Sequence, residues 1–200
     1  MLNLPKSTEV RRPLPKTQLY KRFDWKPSQR ESFDGEVSRL EFVNWIAPRT
    51  ISAIAEGAEV KEIFVIEVTL RTRDFNPKNI VLLAKSIPQC VIYLLHFEDE
   101  AMLAVYHSKL FTSPWQPIDN VTVPIEGLSL DAVWQSLVSS IGQFSVEQEN
   151  SLTEQIKVDE ERDKLLRQIA ALERQINATK QPRRKRELFL ELQRIKKSLC

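Results

Sequence analysis

Residues 62–71 read EIFVIEVTLR, and this segment is the strongest strand prediction in the chain. It is filled with β-branched and aromatic residues, which favour strands. Its apolar residues form a nearly continuous run instead of alternating with polar ones. Such a run indicates a central strand that is covered on both faces, inside a sheet.

The other elements follow from similar patterns on both sides of this segment. Further strands are predicted at residues 41–47, 50–54, 90–97, 101–107 and 115–118. Helices are predicted at residues 27–40, 77–87 and 129–141. The first helix would place Phe33, Val37 and Leu40 on one face. Residues 1–22 are expected to be extended, because a residue that precedes proline is driven out of the helical region.

The last fifty residues are charged and favour helices, with apolar residues at helical spacing. Two helices are predicted, at about 145–179 and 182–199, because Pro182 interrupts the first and suits the first turn of the second. Their apolar stripes consist of Leu165, Ile169, Leu172 and Ile176, and of Leu188, Leu192, Ile195 and Leu199. An antiparallel hairpin would pair the two stripes. The alternative is that the stripes contact another chain.

Together these elements predict an α+β fold. Its mixed or antiparallel sheet carries helices packed on one face, and a coiled-coil-like antiparallel helical hairpin follows it. Three segments are expected: a basic arm with a short helix at 1–40, an α+β core domain at 41–144, and the hairpin at 145–200.

Charge is unevenly distributed, although the net charge is only +2. Residues 1–30 contain eight basic and two acidic residues. Residues 31–150 contain eight basic and seventeen acidic residues, and residues 151–200 contain thirteen basic and eight acidic residues. Contact with phosphates is therefore expected at the basic ends. The residues predicted to contact nucleic acid or a protein partner are Lys6, Arg11, Arg12, Lys16, Lys180, Arg183, Arg184, Lys185 and Arg186.

Both basic regions also have a plainer interpretation. Basic residues interleaved with Tyr20, Phe23 and Trp25 suit nucleic acid, with phosphates on the charges and bases on the rings. They also suit a structural arm whose rings are buried and whose charges are solvated. The basic run at 180–186 is in the same way either a contact surface or a solvated turn.

The sequence offers little for catalysis. It lacks a glycine-rich phosphate loop, and two His with two Cys are too few for a typical zinc site. His96 and His107 fall on opposite arms of a predicted hairpin and could share a sheet. Glu67, a carboxylate in an apolar strand, is the one candidate for a Mg²⁺-dependent nuclease, but Glu67-Val68-Thr69 lacks the lysine of a Glu-x-Lys motif. We predict no catalytic residue, metal or cofactor, and favour a non-enzymatic protein.

Cysteine use and hydropathy bear on location. Cys90 and Cys200 cannot form a disulfide framework, and the first residues lack the apolar core of a signal peptide. No segment approaches the roughly 20 apolar residues of a membrane span. A reduced, cytoplasmic protein without membrane contact is expected.

Several short motifs resemble a known bacterial family. They are Leu4-Pro5-Lys6-Ser7-Thr8, Pro15-Lys16 with Tyr20, Trp45-Ile46-Ala47-Pro48 with Thr50, and Gln168-Ile169-Ala170-Ala171-Leu172-Glu173 before Lys180-Gln181-Pro182-Arg183. Over nearly its whole length the chain resembles the domain of unknown function 4391 family. The resemblance supplies no catalytic residues. It implies an accessory gene beside helicases and DNA methyltransferases in restriction or phage-defence clusters.

Three functions remain open from the sequence. The first is a non-catalytic accessory protein that binds a helicase or DNA methyltransferase, or itself, through the C-terminal helices, and DNA or RNA through its basic ends. The second is a divergent Mg²⁺-dependent nuclease centred on Glu67. The third is a self-associating structural protein without nucleic-acid contact.

Overall fold

The structure, a computed structural model of the 200-residue chain, describes residues 2–144, 152–179 and 181–198. The chain divides into two compact units, Met1–Ser145 and Val146–Cys200. Among the described residues, the first unit contains the sheet and four α-helices, and the second contains two α-helices. The N-terminal basic segment is part of the first unit.

The described part of the first unit contains one mixed sheet of seven strands. They are β1 (Glu9–Pro13), β2 (Val37–Ile46), β3 (Ile63–Leu70), β4 (Cys90–Phe97), β5 (Glu100–His107), β6 (Lys109–Thr112) and β7 (Gln116–Pro117). The order is β1-β2-β3-β4-β5-β6, with β7 paired to β5. β3 and β4 pair in parallel and the other neighbours pair antiparallel.

The helices of the described residues are α1 (Lys16–Arg22), α2 (Pro27–Glu36), α3 (Pro77–Ser86), α4 (Leu130–Gly142), α5 (Leu152–Ala178) and α6 (Pro182–Ser198). α3 makes the crossover between the parallel strands β3 and β4, because parallel neighbours cannot be joined by a tight hairpin. Asn76 caps α3 by accepting a hydrogen bond from the Lys78 N–H, and Pro77 occupies its first turn. The fold is therefore α+β with a mixed sheet, which confirms the predicted class.

One hydrophobic core lies between the sheet and the first three helices. It joins Leu19 of α1, Phe33 of α2 and Leu83 of α3 to the residues of β2–β5 that face them, including Ile66 and Tyr93. On the opposite face, Ile63 and Val65 of β3 and Ile92 and Leu94 of β4 are buried as well. Both faces of the central strands are therefore covered, as the apolar run at 62–71 predicts.

The helix predicted at residues 27–40 is wrong in its last four residues. α2 ends at Glu36, and Val37 begins β2 opposite Leu70. A β-bulge between Val37 and Arg39 adds one residue to β2, so Val37 and Leu40 lie on the same face although they are three residues apart. Residues three apart share a face both in a helix and in a bulged strand. For this reason the apolar spacing at 37–40 is consistent with a helix although the segment is a strand.

Two other local predictions also differ from the structure. Residues 16–22 form α1 directly after Pro15, because no proline interrupts that segment. The strand predicted at 50–54 is a turn, in which the Thr50 hydroxyl donates to the carbonyl oxygens of Trp45 and Ala47 and accepts from the Ala47 N–H. β1 and β6 were not predicted, because each is short and polar or interrupted by proline.

In the second unit α5 and α6 form the predicted hairpin. Ile169, Leu172, Ile176, Leu188 and Leu192 are buried in one cluster, and Ile195 packs against them half-buried. Lys196 Nζ lies 2.8 Å from Glu173 Oε1, which links the end of α6 to the middle of α5. The described helix α5 begins at Leu152, and residues 145–151 of the predicted helix lie outside the described residues.

Candidate functional site

A cleft of about 530 Å³ lies in the first unit, between β1 and α1 on one side and β2, β3 and the end of α3 on the other. Its size is typical of ligand pockets, which range from about 300 to 1,000 Å³. We call it the arginine–aromatic cleft, after the side chains that dominate its lining: Arg12, Arg22, Arg49, Phe42, Trp45 and Phe64, together with Glu62.

A second β-bulge places two of the rings on the cleft side of β2. Phe42 pairs with Ile66, and Asn44 pairs with Val65, so β2 contains one extra residue between them. Without the bulge, Phe42 and Trp45 would point to opposite faces, because successive side chains of a strand alternate. With the bulge, both line the cleft.

The rings form a continuous aromatic surface. The Trp45 and Phe64 rings are nearly parallel, with an interplanar angle of 11° and centroids 6.1 Å apart. Phe42 meets Phe64 edge-on at 5.7 Å. All three side chains are half-buried, so parts of their surfaces remain accessible from the cleft. Flat apolar surfaces of this kind bind planar groups by stacking.

The three arginines give the cleft a positive charge. Arg12 lies on β1 opposite Phe42, Arg22 ends α1, and Arg49 follows β2. All three are exposed, and within residues 2–144 none forms an ion pair with a carboxylate. The Arg49 guanidinium lies over the Trp45 ring, and that of Arg22 lies 5.6 Å from the centroid of the Phe23 ring. Guanidinium groups with unoccupied donors bind carboxylates and phosphates.

Glu62 is the one acidic side chain in the lining. It lies directly before β3 and is half-buried. Its Oε2 atom accepts a hydrogen bond of 3.0 Å from the Trp45 indole Nε1–H. The carboxylate is thereby fixed beside the aromatic surface.

The predicted contact residues of the N-terminal segment are separated by the fold. Arg12 lines the cleft, whereas Lys6 and Arg11 are exposed and are not part of its lining. Arg11 adopts a left-handed backbone conformation with φ of 43° at the β-bulge of β1. Lys16 is mostly buried, since its side chain is 18% exposed and its Nζ donates to Asp34 Oδ1 and to the Val37 carbonyl oxygen. Lys16 therefore acts within the fold.

The aromatic residues of that segment are also divided. Trp25 is in the core, with its Nε1–H donating to Ser86 Oγ at 2.8 Å. The Tyr20 hydroxyl donates to Asp34 Oδ1, and Arg30 lies 5.4 Å from the centroid of its ring. Phe23 is half-buried and lines the cleft. Two of these three rings thus serve the structural role that the sequence left open.

The described residues of the basic run lie in the first turn and a half of α6. Arg183, Arg184, Lys185 and Arg186 are exposed, and Lys180 lies outside the described residues. Arg184 Nη1 lies 3.1 Å from Glu187 Oε2, and Arg183 Nε lies 3.9 Å from Glu187 Oε1. The first turn of α6 contains no acidic residue. This arrangement opposes the helix dipole, which favours negative charge at a helix N-terminus.

The predicted stripe residues come together. Leu165 is half-buried on α5, and five others form the buried cluster against which Ile195 packs. Leu199 lies outside the described residues. The hairpin also exposes large apolar side chains, with Leu166, Phe189 and Leu190 each about half exposed.

Glu67, the candidate for nuclease chemistry, is paired with a histidine. His96 Nδ1 lies 2.8 Å from Glu67 Oε1, and His96 Nε2 lies 2.6 Å from the Glu98 carbonyl oxygen. Both side chains are about one-fifth exposed. No group of three or more His, Cys, Asp or Glu side chains that could hold a metal ion occurs in the described part of the chain.

The other candidate side chains do not assemble either. His96 pairs with Ala101, six residues from His107 on β5, so the two histidines are about 20 Å apart along the strand. Burial, with a contribution from the Asp131 carboxylate, raises the pKa of the Cys90 thiol to about 11. That thiol is therefore protonated at neutral pH and is a poor nucleophile.

Sequence reasoning found Arg12 but missed most of the cleft. Phe42, Trp45 and Phe64 were assigned to strands, yet their shared face depends on a bulge and on cross-strand pairing. Arg49, four residues after Trp45, is the sequence signal for this surface, because positive charge combined with aromatic side chains suits nucleic acid.

Among the helices that the structure describes, none is both long enough and apolar enough to cross a membrane. No curated protein and no solved structure matches the chain. A family model described as Domain of unknown function (DUF4391) matches residues 2–199, and so includes the cleft, the sheet and the hairpin. On that match the chain belongs to the DUF4391 family.

Proposed function

We propose that this protein is a non-catalytic accessory protein that binds single-stranded nucleic acid in the arginine–aromatic cleft. The observation that carries the proposal is that one cleft combines four aromatic rings with three arginines that form no ion pair within residues 2–144. Arginines suit phosphates, and accessible rings suit bases. Arg12 and Arg22 belong to the basic N-terminal segment, which was expected to contact nucleic acid.

The cleft favours a single strand over a duplex for two reasons. Bases stack on aromatic side chains only when their faces are free, and in a duplex those faces are covered by neighbouring bases. A space of about 530 Å³ also suits one or two splayed bases and is too small for a double helix. Stacking on a ring contributes about 1–3 kcal/mol per base.

A second surface, on the hairpin, supports the partner-binding part of this proposal. Phe189 is 50% exposed and Leu190 is 51% exposed on α6, near the basic residues at its start. The partner that the family resemblance implies is a helicase or DNA methyltransferase of a restriction or phage-defence complex, and self-association is the alternative. Phe189→Glu should weaken co-purification with that enzyme, and Gln193→Glu, at an exposed position of the same helix, is the control.

The nuclease alternative has less support. The Glu67 carboxylate already has His96 as a partner, and no acidic cluster accompanies it among the described residues. Incubation with DNA and Mg²⁺ or Mn²⁺, next to a Glu67→Ala variant, decides between the two functions. Cleavage by the wild type that the variant lacks would replace the present proposal with the nuclease.

Binding of a fluorescein-labelled single-stranded oligonucleotide, measured by anisotropy at several salt concentrations, tests the main proposal. Arg22→Glu should lower the affinity and reduce the slope of log K against log salt by about 0.7 for each lost phosphate contact. Lys21→Glu changes the same charge on the neighbouring exposed residue of α1, outside the cleft lining, and should have the smaller effect. Equal effects of both variants, or no salt-sensitive binding at all, would contradict the proposal and favour a structural protein.

A further inference from the structure

We propose that Glu62 makes the cleft selective for a base that carries an exocyclic amine, so that cytosine binds in preference to thymine or uracil. This inference rests on the proposed function, because it names the base accepted at the same cleft. It starts from an anomaly in the lining: one carboxylate lies in a cleft with three arginines, yet it is paired with none of them.

The position of that carboxylate is fixed by a neutral donor. Trp45 Nε1–H donates to Glu62 Oε2 at 3.0 Å, and among the described residues Oε1 has no hydrogen-bond partner. An ionised carboxylate only accepts hydrogen bonds, and each of its oxygens can accept more than one. The free acceptor positions therefore lie beside the Trp45 and Phe64 rings, where a stacked base would place its edge.

The strand register separates the carboxylate from the arginine of β1. Arg12 pairs with Phe42, which pairs with Ile66 on β3. Glu62 lies four residues before Ile66, or about 13 Å along the strand direction at ~3.3 Å per residue. A phosphate bound near Arg12 thus lies well away from Glu62, which would repel it. Phe42 lies at the level of Arg12, and the rings of Phe64 and Trp45 lie between this level and Glu62.

Glu62 therefore meets the part of the ligand that can donate hydrogen bonds. Cytosine and thymine are similar in size but differ at position 4, where cytosine has an amine and thymine a carbonyl oxygen. A carboxylate accepts from the amine and repels the carbonyl. A hydrogen bond of this kind at a base edge discriminates by roughly 5- to 150-fold in affinity.

The test compares two oligonucleotides of eight nucleotides, (dC)8 and (dT)8, for binding to the full chain at neutral pH. Wild type should bind (dC)8 roughly 5- to 150-fold more tightly. Glu62→Gln, whose amide both donates and accepts, should bring the two affinities within about threefold, mainly by gaining affinity for (dT)8. Trp45→Phe keeps a ring but removes the Nε1–H, so it should also reduce the ratio. Glu31→Gln, at an exposed position of α2 outside the lining, should leave the ratio unchanged.

The outcomes separate this inference from the function on which it rests. Binding of both oligonucleotides with equal affinity, still weakened by Arg22→Glu, would overturn base selectivity and leave the proposed function intact. A preference for (dC)8 that survives Glu62→Gln would overturn the role of Glu62. Binding of neither oligonucleotide would overturn both proposals.

Discussion

The guanidinium carbon of Arg49 lies 3.3 Å from the centre of the Trp45 ring, so that a positive charge and a flat surface coincide at one point of the cleft. Arg49 is exposed and has no ion pair with the carboxylates of residues 2–144. A guanidinium plane can itself stack against a base while it binds a phosphate, whereas an ammonium group supplies charge alone. This difference makes the two contributions of Arg49 separable by substitution.

Arg49→Lys should keep the charge and lose the stacking. We expect the affinity for a single-stranded oligonucleotide to fall with an unchanged salt slope, because an ammonium group does not stack on a base. Arg49→Ala should lower the affinity further and reduce the salt slope by about 0.7. Anisotropy titrations at several salt concentrations measure both quantities. Wild-type affinity in Arg49→Lys would mean that charge is the only contribution of Arg49, and identical behaviour of the two variants would mean that its charge contributes nothing.

Tyr93 offers a test of the core under the sheet. Its side chain is 1% exposed, and its hydroxyl has no hydrogen-bond partner among the described residues. Burial also raises the pKa of that hydroxyl, so it remains neutral. Leaving a buried polar group unpaired costs free energy that its removal recovers.

Tyr93→Phe removes only the unpaired hydroxyl. It should therefore raise the free energy of unfolding by up to about 1–3 kcal/mol. Tyr93→Ala removes the ring as well and should lower it by about 3–5 kcal/mol. Urea denaturation of the three proteins gives both differences. Marked destabilisation by Tyr93→Phe would show that the hydroxyl has a partner, such as a buried water.

The hairpin contains a matched pair of leucines two positions apart on α6. Leu188 is 3% exposed in the buried cluster, and Leu190 is 51% exposed. Both Leu→Ala changes alter helix propensity in the same way. The difference between their effects on the free energy of unfolding therefore measures the contribution of the buried Leu188 side chain. Leu188→Ala should lower the free energy of unfolding of the hairpin by about 2–5 kcal/mol, and Leu190→Ala by no more than about 0.5 kcal/mol.

The helical circular dichroism signal during urea denaturation measures that difference. If the two variants unfold together, the α5–α6 cluster does not stabilise the hairpin. Loss of partner binding in Leu190→Ala without loss of stability would instead identify Leu190 as part of the partner surface.

The α+β class, helix α3 and the hairpin could be predicted from sequence because each depends on local periodicity. The cleft could not, because it depends on where β2 gains extra residues. The bulges at 37–39 and 42–44 place Val37, Leu40, Phe42 and Trp45 on one face at spacings of three, two and three. A spacing of three within this series is also that of a helical face, so the sequence at 37–40 resembles a continuation of α2.

Arg12 joined the candidate residues for its charge alone. Its place beside Phe42 follows from the pairing of β1, the edge strand, with β2. Pairing between strands 30 residues apart is set by the whole fold, and no local pattern encodes it.

The loop before β3, which carries Glu62, is held by a carboxylate from α4. Asp131 Oδ1 and Oδ2 accept hydrogen bonds from the backbone N–H groups of Val60 and Ala58 at 2.7 and 2.6 Å, and Glu59 N–H also donates to this carboxylate. A Cβ atom at Gly57 would overlap the Asp131 carboxylate, so glycine is needed for this close approach. Asp131, in the first turn of α4, thus holds the loop that leads into β3.

The stabilisation from Asp131 should depend on pH in a defined direction. The Val60 N–H lowers the pKa of Asp131 against a smaller opposing effect of desolvation, and the Ala58 and Glu59 N–H groups lower it further. An unfolded aspartate has a pKa of about 3.9. A carboxyl whose pKa is lower in the folded state stabilises the protein above the unfolded pKa, and this stabilisation is lost as the pH falls through the folded pKa.

Asp131→Asn should therefore lower the free energy of unfolding at neutral pH, and the difference from wild type should shrink below about pH 4. Urea denaturation from about pH 7 to about pH 3 measures this difference, and Asp119→Asn, at an exposed position, is the control. A deficit that stays constant down to the lowest pH would mean that the shape of the side chain, and not its charge, holds the loop. Because that loop leads into Glu62, the variant should also weaken the cytosine preference of the cleft, whereas the control should not.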